Sequence, residues 1–314
     1  MAFRFSRKRS SPADCISRTR PAGRTLVAFL TPVIAGTLGV GIPAALADPA
    51  VQPAGAIATP PEGPAPNWLV ADMDTGQILA ARNPYEPHAP ASTIKVLLAL
   101  TALDEVDLNQ TVVASEEDAD VECNCVGITP GHSYTARQLL DAVLLVSGND
   151  AANTLADLLG GYDVAVMKMN AKAEMLGAYD THVASPSGLD EPGDGFSTTP
   201  HDLAVIFRAA MANPVFAMIT GQPSALFPTD AGLQPIVNQD QLLARYPGAI
   251  GGKTGFTNTA QKTFVGAAER NGRRLIVVQM YGMDAPGGPT YWDQAIGLLD
   301  WGFAQGPGVG VGTL

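Results

Sequence analysis

Cysteine, histidine and aromatic residues are scarce in this 314-residue chain: three Cys, four His and 6% Phe, Trp and Tyr. A disulfide-stapled scaffold is excluded, because such folds need many paired cysteines. Cys15 lies in a basic N-terminal stretch, which leaves Cys123 and Cys125, one residue apart. That spacing admits a small disulfide ring, two free thiols, or a zinc site completed by His132. C-x-C beside one histidine is a weak ligand pattern. His88, His132, His182 and His201 are scattered and read as structural or surface residues. Positive charge is also short, with 19 Lys and Arg against 30 Asp and Glu, and none after Arg274. Nucleic acid and anionic lipid need clustered cations, so both are excluded as partners. No internal repeat is visible, which excludes a solenoid.

Arg4, Arg7, Lys8, Arg9, Arg18, Arg20 and Arg24 precede an uncharged run from Thr25 to Ala45, and Ala45-Leu46-Ala47 is a small-x-small site. This order is that of an export signal over residues 1–47. The alternative is an uncleaved anchor, although Pro32, Pro43 and several glycines weaken the run as a helix. In both cases the rest of the chain is expected outside the cytoplasm. Without the leader, 12 basic and 29 acidic residues remain, a net charge of −17. The run Glu116-Glu117-Asp118, with Asp120 and Glu122, reads as a solvated face rather than a metal site.

Residues 48–66 are Pro- and Ala-rich without periodicity and are expected as a flexible tether. Folding is expected over 67–304, and the tail 305–314 is expected to be disordered. Trp68 to Ala71 and Gln77 to Ala80, around Asp74-Thr75-Gly76, predict a hairpin. Thr263 to Ala268 and Leu275 to Tyr281, around Asn271-Gly272, predict another. Between them lie predicted helices over 92–103, 136–145, 150–159, 162–176 and 200–211, with a last one over 294–303. Thr135 with Gln138 forms a capping-box pattern, Pro200 follows Thr199, and Gly177 follows Leu176. The expected class is α/β: an antiparallel sheet of about five strands drawn from both ends, flanked by helices, with an inserted helical subdomain.

Three short segments carry chemistry. In Ser92-Thr93-Ile94-Lys95 the serine and lysine fall on one helical face, with Ser92 in the first turn where free N–H groups point outward. Serine is a weak nucleophile until a base takes its proton, and lysine serves only if desolvation or a nearby cation lowers its pKa. Ser147-Gly148-Asn149 offers a hydroxyl and a carboxamide between two helices. Lys253-Thr254-Gly255 opens a strand able to pair with an extended peptide, with Gly255 allowing close backbone approach. Each alone has a bland reading: a solvated pair, an ordinary turn, a strand start.

Together, 55 and 106 residues apart, they are specific. The chain resembles the penicillin-binding serine transferases, which share S-x-x-K, Ser-x-Asn and K-T-G. Within them it is most similar to the low-molecular-weight D-alanyl-D-alanine carboxypeptidases, from about Trp68 to Phe303. Pro90-Ala91 before Ser92, Gly148 where β-lactamases usually have aspartate, Ser185-Pro186-Ser187-Gly188-Leu189, Ser197 to Ala204, and Lys253 to Thr257 carry that resemblance. It implies a β-lactamase/transpeptidase-like fold with its site in the groove between sheet and helical subdomain. Ser92 is implied as nucleophile, Lys95 as its base and Ser147 as proton relay. Asn149, Lys253, Thr254, Gly255 and Phe256 are implied as substrate-binding residues, and the N–H groups of Ser92 and Phe256 as an oxyanion hole. The implied substrate is a peptidoglycan stem ending in D-Ala-D-Ala, with β-lactams as covalent inhibitors, no cofactor or metal, and a monomer.

The pattern departs from the family in two ways. Many members carry a basic residue in or after the closing hairpin, so the substrate carboxylate is expected to rely here on Thr254, Thr257 and Lys253. Many also have a C-terminal β domain and an amphipathic membrane helix. This chain ends before either, so any attachment is expected at its N-terminus. The competing readings are a β-lactamase-like hydrolase, a DD-endopeptidase and a non-catalytic wall-binding protein. Gly148, and a Glu191 that no asparagine closely follows, argue against the first, and three intact motifs against the last.

Overall fold

A computed structural model describes residues 48–190, 195–306 and 308–314. The expected leader, 1–47, and Glu191 lie outside the described residues.

In chain order the elements are β1 (Asn67–Asp72), β2 (Gln77–Arg82), α1 (Lys95–Glu105), β3 (Thr111–Val113), α2 (Glu116–Ala119), β4 (Ser133–Thr135), α3 (Ala136–Leu145), α4 (Asn149–Leu158), α5 (Tyr162–Leu176), α6 (Pro200–Met211) and α7 (Pro214–Gly221). There follow β5 (Ser224–Thr229), β6 (Gly232–Val237), α8 (Leu242–Arg245), β7 (Ala249–Thr257), β8 (Gln261–Arg270), β9 (Arg273–Gly282), α9 (Tyr291–Ala304) and β10 (Gly312–Thr313). The main sheet is antiparallel with strand order β10-β2-β1-β9-β8-β7, so both ends of the domain meet in it, as the hairpins foretold. Asn271 and Gly272, at φ 53° and 76°, make the β8–β9 turn, where two successive positive φ values match the strand twist.

Alternation along β1 and β9 sends Leu69, Ala71, Ile276 and Val278 into one core, beneath α1 and α3–α7. It sends Trp68, Val70, Leu275 and Val277 into a second core beneath α9. Helix α1 is buried on every side over its first eight residues, the mark of a helix at the centre of a domain. Burying Val96, Leu97, Leu98 and Leu100 contributes about 1.5–3 kcal/mol each, which offsets the cost of taking Lys95 out of water on the same helix. Thr135 and Gln138 form their reciprocal cap on α3, Thr199 caps α6 ahead of Pro200, and Gly177 at φ 82° ends α5.

Several expectations change. The sheet has six strands rather than about five. The sixth, β10, comes from the tail 305–314, expected without structure, and pairs with β2. Residues 48–66, expected as a free tether, lie along the body: Val51 and Ala81 exchange backbone hydrogen bonds of 2.7 and 3.1 Å. Trp301 Nε1 donates to Ala58 O at 2.7 Å, and Gln294 brackets the Ala65 peptide at 2.8 and 3.1 Å. The last helix begins at Tyr291, three residues earlier than expected, because Thr290 and Asp293 form a capping box. Helix α7 and the β5–β6 hairpin are additions to the predicted elements.

Candidate active site

Ser92 does not open an α-helix. It lies in a 3-10 turn, Ala91–Ile94, and α1 begins at Lys95. A 3-10 turn eclipses side chains at i and i+3, so the Lys95 stem stands over the Ser92 hydroxyl. The turn starts from Ala91 at φ 48°, a left-handed conformation that is costly for an alanine and persists only when its surroundings impose it. Pro90 O accepts hydroxyl hydrogen bonds from Thr93 at 2.6 Å and Thr263 at 2.9 Å. On the other side Gly188, at φ 84°, lies so close that a Cβ there would come within 2.2 Å of Ala91 O.

Lys95 is fully buried, and its amine has three partners. Ser92 Oγ is 2.8 Å away and Asn149 Oδ1 2.7 Å, and Ser187 O accepts a third, short hydrogen bond. Burial holds its pKa well below the ordinary lysine value; the charge of Lys253 lowers it further and Asp150 opposes. A neutral amine keeps two N–H donors and gains a lone pair. Ser187 O is purely an acceptor, and so is Asn149 Oδ1, whose amide orientation is set by Nδ2 donating to Glu122 O at 2.7 Å. Those two take the N–H groups. The ammonium donates to Ser92 Oγ; once neutral, the amine turns its lone pair to that oxygen, the one partner with a proton to give.

Ser147 sits between α3 and α4 at φ 63°. Lys253, buried on β7, donates to Ser147 Oγ at 2.9 Å and to Thr254 O at 2.7 Å. Burial lowers its pKa to about 7, against the raising effect of Asp240. Gly255 allows β7 to lie against the Ser92 turn: a Cβ there would stand 2.9 Å from Ser92 N and 2.4 Å from Thr263 Oγ1.

The eight residues predicted for the site converge. Ser92, Ser147, Asn149, Thr254, Gly255 and Phe256 line one cavity of about 510 Å³, and Lys95 and Lys253 lie buried against it through Ser92, Asn149 and Ser147. Thr257 also reaches the cavity, but its hydroxyl donates to Asp190 at 2.9 Å. None of the four histidines lines it. Cys123 and Cys125 are bonded to each other, which leaves no thiolate for zinc.

Five contributors carry no such signal in the sequence. Ser187 O acts through its backbone, which no residue type announces. Glu122 and Asn124 act through carbonyls in an irregular segment. Asp240 is buried, its Oδ2 has no hydrogen-bond partner among the described residues, and burial raises its pKa to about 6. Lys262 lines the cavity, paired with Asp284 and 5.0 Å from the Tyr291 ring centroid. It supplies a cation on β8, although the chain has none after Arg274.

Comparison with known proteins agrees. The family described as D-alanyl-D-alanine carboxypeptidase, peptidase S11, matches residues 54–284. The D-alanyl-D-alanine carboxypeptidase DacB2 of Mycobacterium tuberculosis is 66% identical over 268 residues, 85% of this chain and 92% of that protein. The Escherichia coli carboxypeptidase DacD is 32% identical over 256 residues, 77% of this chain and 64% of its own length. A crystal structure of a D-alanyl-D-alanine carboxypeptidase from M. tuberculosis superposes with TM-score 0.83 at 68% identity, covering 84% of this chain and all of that one. The DD-transpeptidase of a Streptomyces strain gives TM-score 0.73 at 28% identity, covering 79% of this chain and all of its own. Fold and site thus define a serine hydrolase of the penicillin-binding type. The chain belongs to the D-alanyl-D-alanine carboxypeptidase family.

Proposed function

We propose that the protein removes the terminal D-alanine from peptidoglycan pentapeptide stems through an acyl-enzyme on Ser92. The observation that carries this is the Lys95 amine, buried without a carboxylate contact and with Ser92 Oγ as its one proton-giving partner. In the proposed path Ser92 Oγ attacks the carbonyl carbon of the penultimate D-alanine while its proton passes to Lys95. The N–H groups of Ser92 and Phe256 hold the oxyanion. The C–N bond then breaks, and the leaving amine takes a proton from Ser147, whose own hydrogen is turned outward because Lys253 donates to its oxygen; Lys253 replaces the proton that Ser147 gives up. Lys253 and Thr254 receive the terminal carboxylate, and Asn149 the substrate amide. Water then cleaves the ester: its proton returns through Ser147 to Lys253, and Ser92 regains its own from Lys95.

β-Lactams share the acyl–D-alanine geometry and acylate the same serine, with the leaving group still tethered. The β-lactamase-like reading is weakened at Gly148: a side chain there would place Cβ 2.9 Å from Asp150 Oδ1. Peptidoglycan as substrate places the working site outside the cytoplasm, with residues 1–47 as the export signal and a monomer as the working unit. Intact-mass analysis after benzylpenicillin tests the proposal, with D-alanine release from a pentapeptide alongside. An adduct and released D-alanine are expected from the wild type, and neither from Ser92→Ala. An adduct on Ser92→Ala, or a wild type without D-alanine release, rejects it.

A further inference from the structure

The Asn149 carboxamide is gripped by a segment for which the chemistry above has no role. Glu122 O accepts from Asn149 Nδ2 at 2.7 Å, and Asn124 O accepts from the Asn149 backbone N–H at 2.7 Å. Between and beside these carbonyls runs the Cys123–Cys125 disulfide. Asn124 Nδ2 reaches back to Val146 O at 3.0 Å and Ser147 O at 3.4 Å. The N–H groups of Val126, Gly127 and Ile128 converge on the Asp150 carboxylate at 3.0, 2.8 and 2.9 Å. The segment thus holds the Ser147-Gly148-Asn149 turn on both flanks, and Glu122, Cys123 and Asn124 wall the cavity.

The segment itself is irregular and is held through the start of α4. Glu122, Cys123 and Asn124 are exposed, and no helix or strand runs between α2 and β4. Such a stretch is ordinarily mobile. A sulfur bridge across a sequence separation of two removes little entropy from the unfolded chain, far less than one closing a long loop. Its effect is therefore local, on the directions of the carbonyls at 122 and 124.

We propose that the Cys123–Cys125 ring is a positioning clamp that fixes the orientation of the Asn149 carboxamide, and through it the lone pair of Lys95. This rests on the reading of Ser92 and Lys95 given above. An amide presents similar outlines by its oxygen and nitrogen ends, and Glu122 O is what selects the nitrogen for the outer side. With that carbonyl displaced, the amide turns over at little cost. Its NH₂ then meets Lys95 Nζ and occupies the lone pair that otherwise faces Ser92.

The test compares oxidised wild type, phosphine-reduced wild type and the Cys123→Ser/Cys125→Ser double variant. Acylation by a fluorescent penicillin is followed across pH, with thermal melts in parallel. Reduction and the double substitution are expected to slow acylation about 10- to 100-fold, the scale of a misplaced catalytic group. Tm is expected to fall by only a few degrees. The acidic limb of the profile moves to lower pH, because the Lys95 ammonium loses a hydrogen-bond acceptor. Reoxidation restores the wild type, and phosphine does nothing to the double variant. Unchanged rates and profile overturn the clamp, as does a fall uniform in pH that follows the unfolded fraction. An unlabelled oxidised wild type overturns the Ser92 reading and the clamp with it, whereas a labelled wild type indifferent to reduction overturns the clamp alone.

Discussion

Lys95 and Lys253 are both taken out of water within one site, yet their surroundings differ. Lys95 meets a hydroxyl, a carboxamide oxygen and a backbone carbonyl, all neutral. Lys253 meets a hydroxyl and a carbonyl too, and feels the buried carboxyl of Asp240 as Lys95 feels Asp150, but only Lys95 also feels the opposing charge of the other lysine. Burial beside a second cation disfavours the ammonium and leaves an amine fit to accept a proton. Burial opposed only by a carboxyl keeps an ammonium within reach of neutral pH, able to meet a carboxylate. One residue type is thus proposed as base in one place and as titratable cation in the other. Lys253 also lowers the charge tolerance of its neighbour, as the second cause of the shift at Lys95.

Lys95→Met should break the comparison most severely. It removes the proposed base and leaves Ser92, among the described residues, with no acceptor but Ser187 O at 3.4 Å, so acylation should fall about 10³-fold with the fold intact. Stopped-flow acylation together with a thermal melt checks both halves. Lys253→Met should cost less, about 10- to 100-fold in kcat/KM, the worth of a charge-assisted hydrogen bond. The loss should shrink for an ester substrate whose terminal carboxylate is replaced by an amide. An equal loss for both substrates would remove Lys253 from carboxylate binding.

Asp240→Asn gives the smallest and sharpest effect. Lys253 is charged below about 7, and Asp240 is anionic above about 6, where it favours that charge. Activity toward a carboxylate substrate should therefore decline as pH rises above about 7 in the wild type, and at lower pH in the variant. The stability effect has the opposite sense. A carboxyl whose folded pKa is raised contributes stability that is fully present below its ordinary value of 3.8 and lost as pH rises through about 6. The variant should match the wild-type Tm below about pH 4 and exceed it by a few degrees above about pH 6. A Tm difference independent of pH would place the effect in packing instead.

Much of the frame was legible from local pattern. Helices α3, α5 and α6 fall where capping residues and apolar periodicity put them, because caps and periodicity are properties of a few adjacent residues. Elements lacking such signals were not legible. The β5 and β6 strands carry Pro228 and Pro235 and leave Leu226, Leu233 and Val237 exposed, so neither alternation nor burial marks them. The 3-10 turn at Ser92 carries the sequence pattern of an α-helix, since only contact with Gly188 and the Pro90 carbonyl imposes φ 48° on Ala91. The tail and residues 48–66 looked structureless because their partners, β2 and α9, are distant in sequence.

The amino-acid order by itself determined which side chains can do the chemistry: a serine and lysine three apart, a second serine with its asparagine, and a strand bearing lysine, threonine and glycine. Hydrogen bonding and helical periodicity act over a few residues, so such units are written locally. Only the tertiary structure decided what those side chains become. The lowered pKa values of Lys95 and Lys253, the facing of one lone pair, and the roles of the Ser187 and Glu122 carbonyls arise from burial and from contacts between segments far apart in the chain. Desolvation belongs to the assembled fold and to no residue alone.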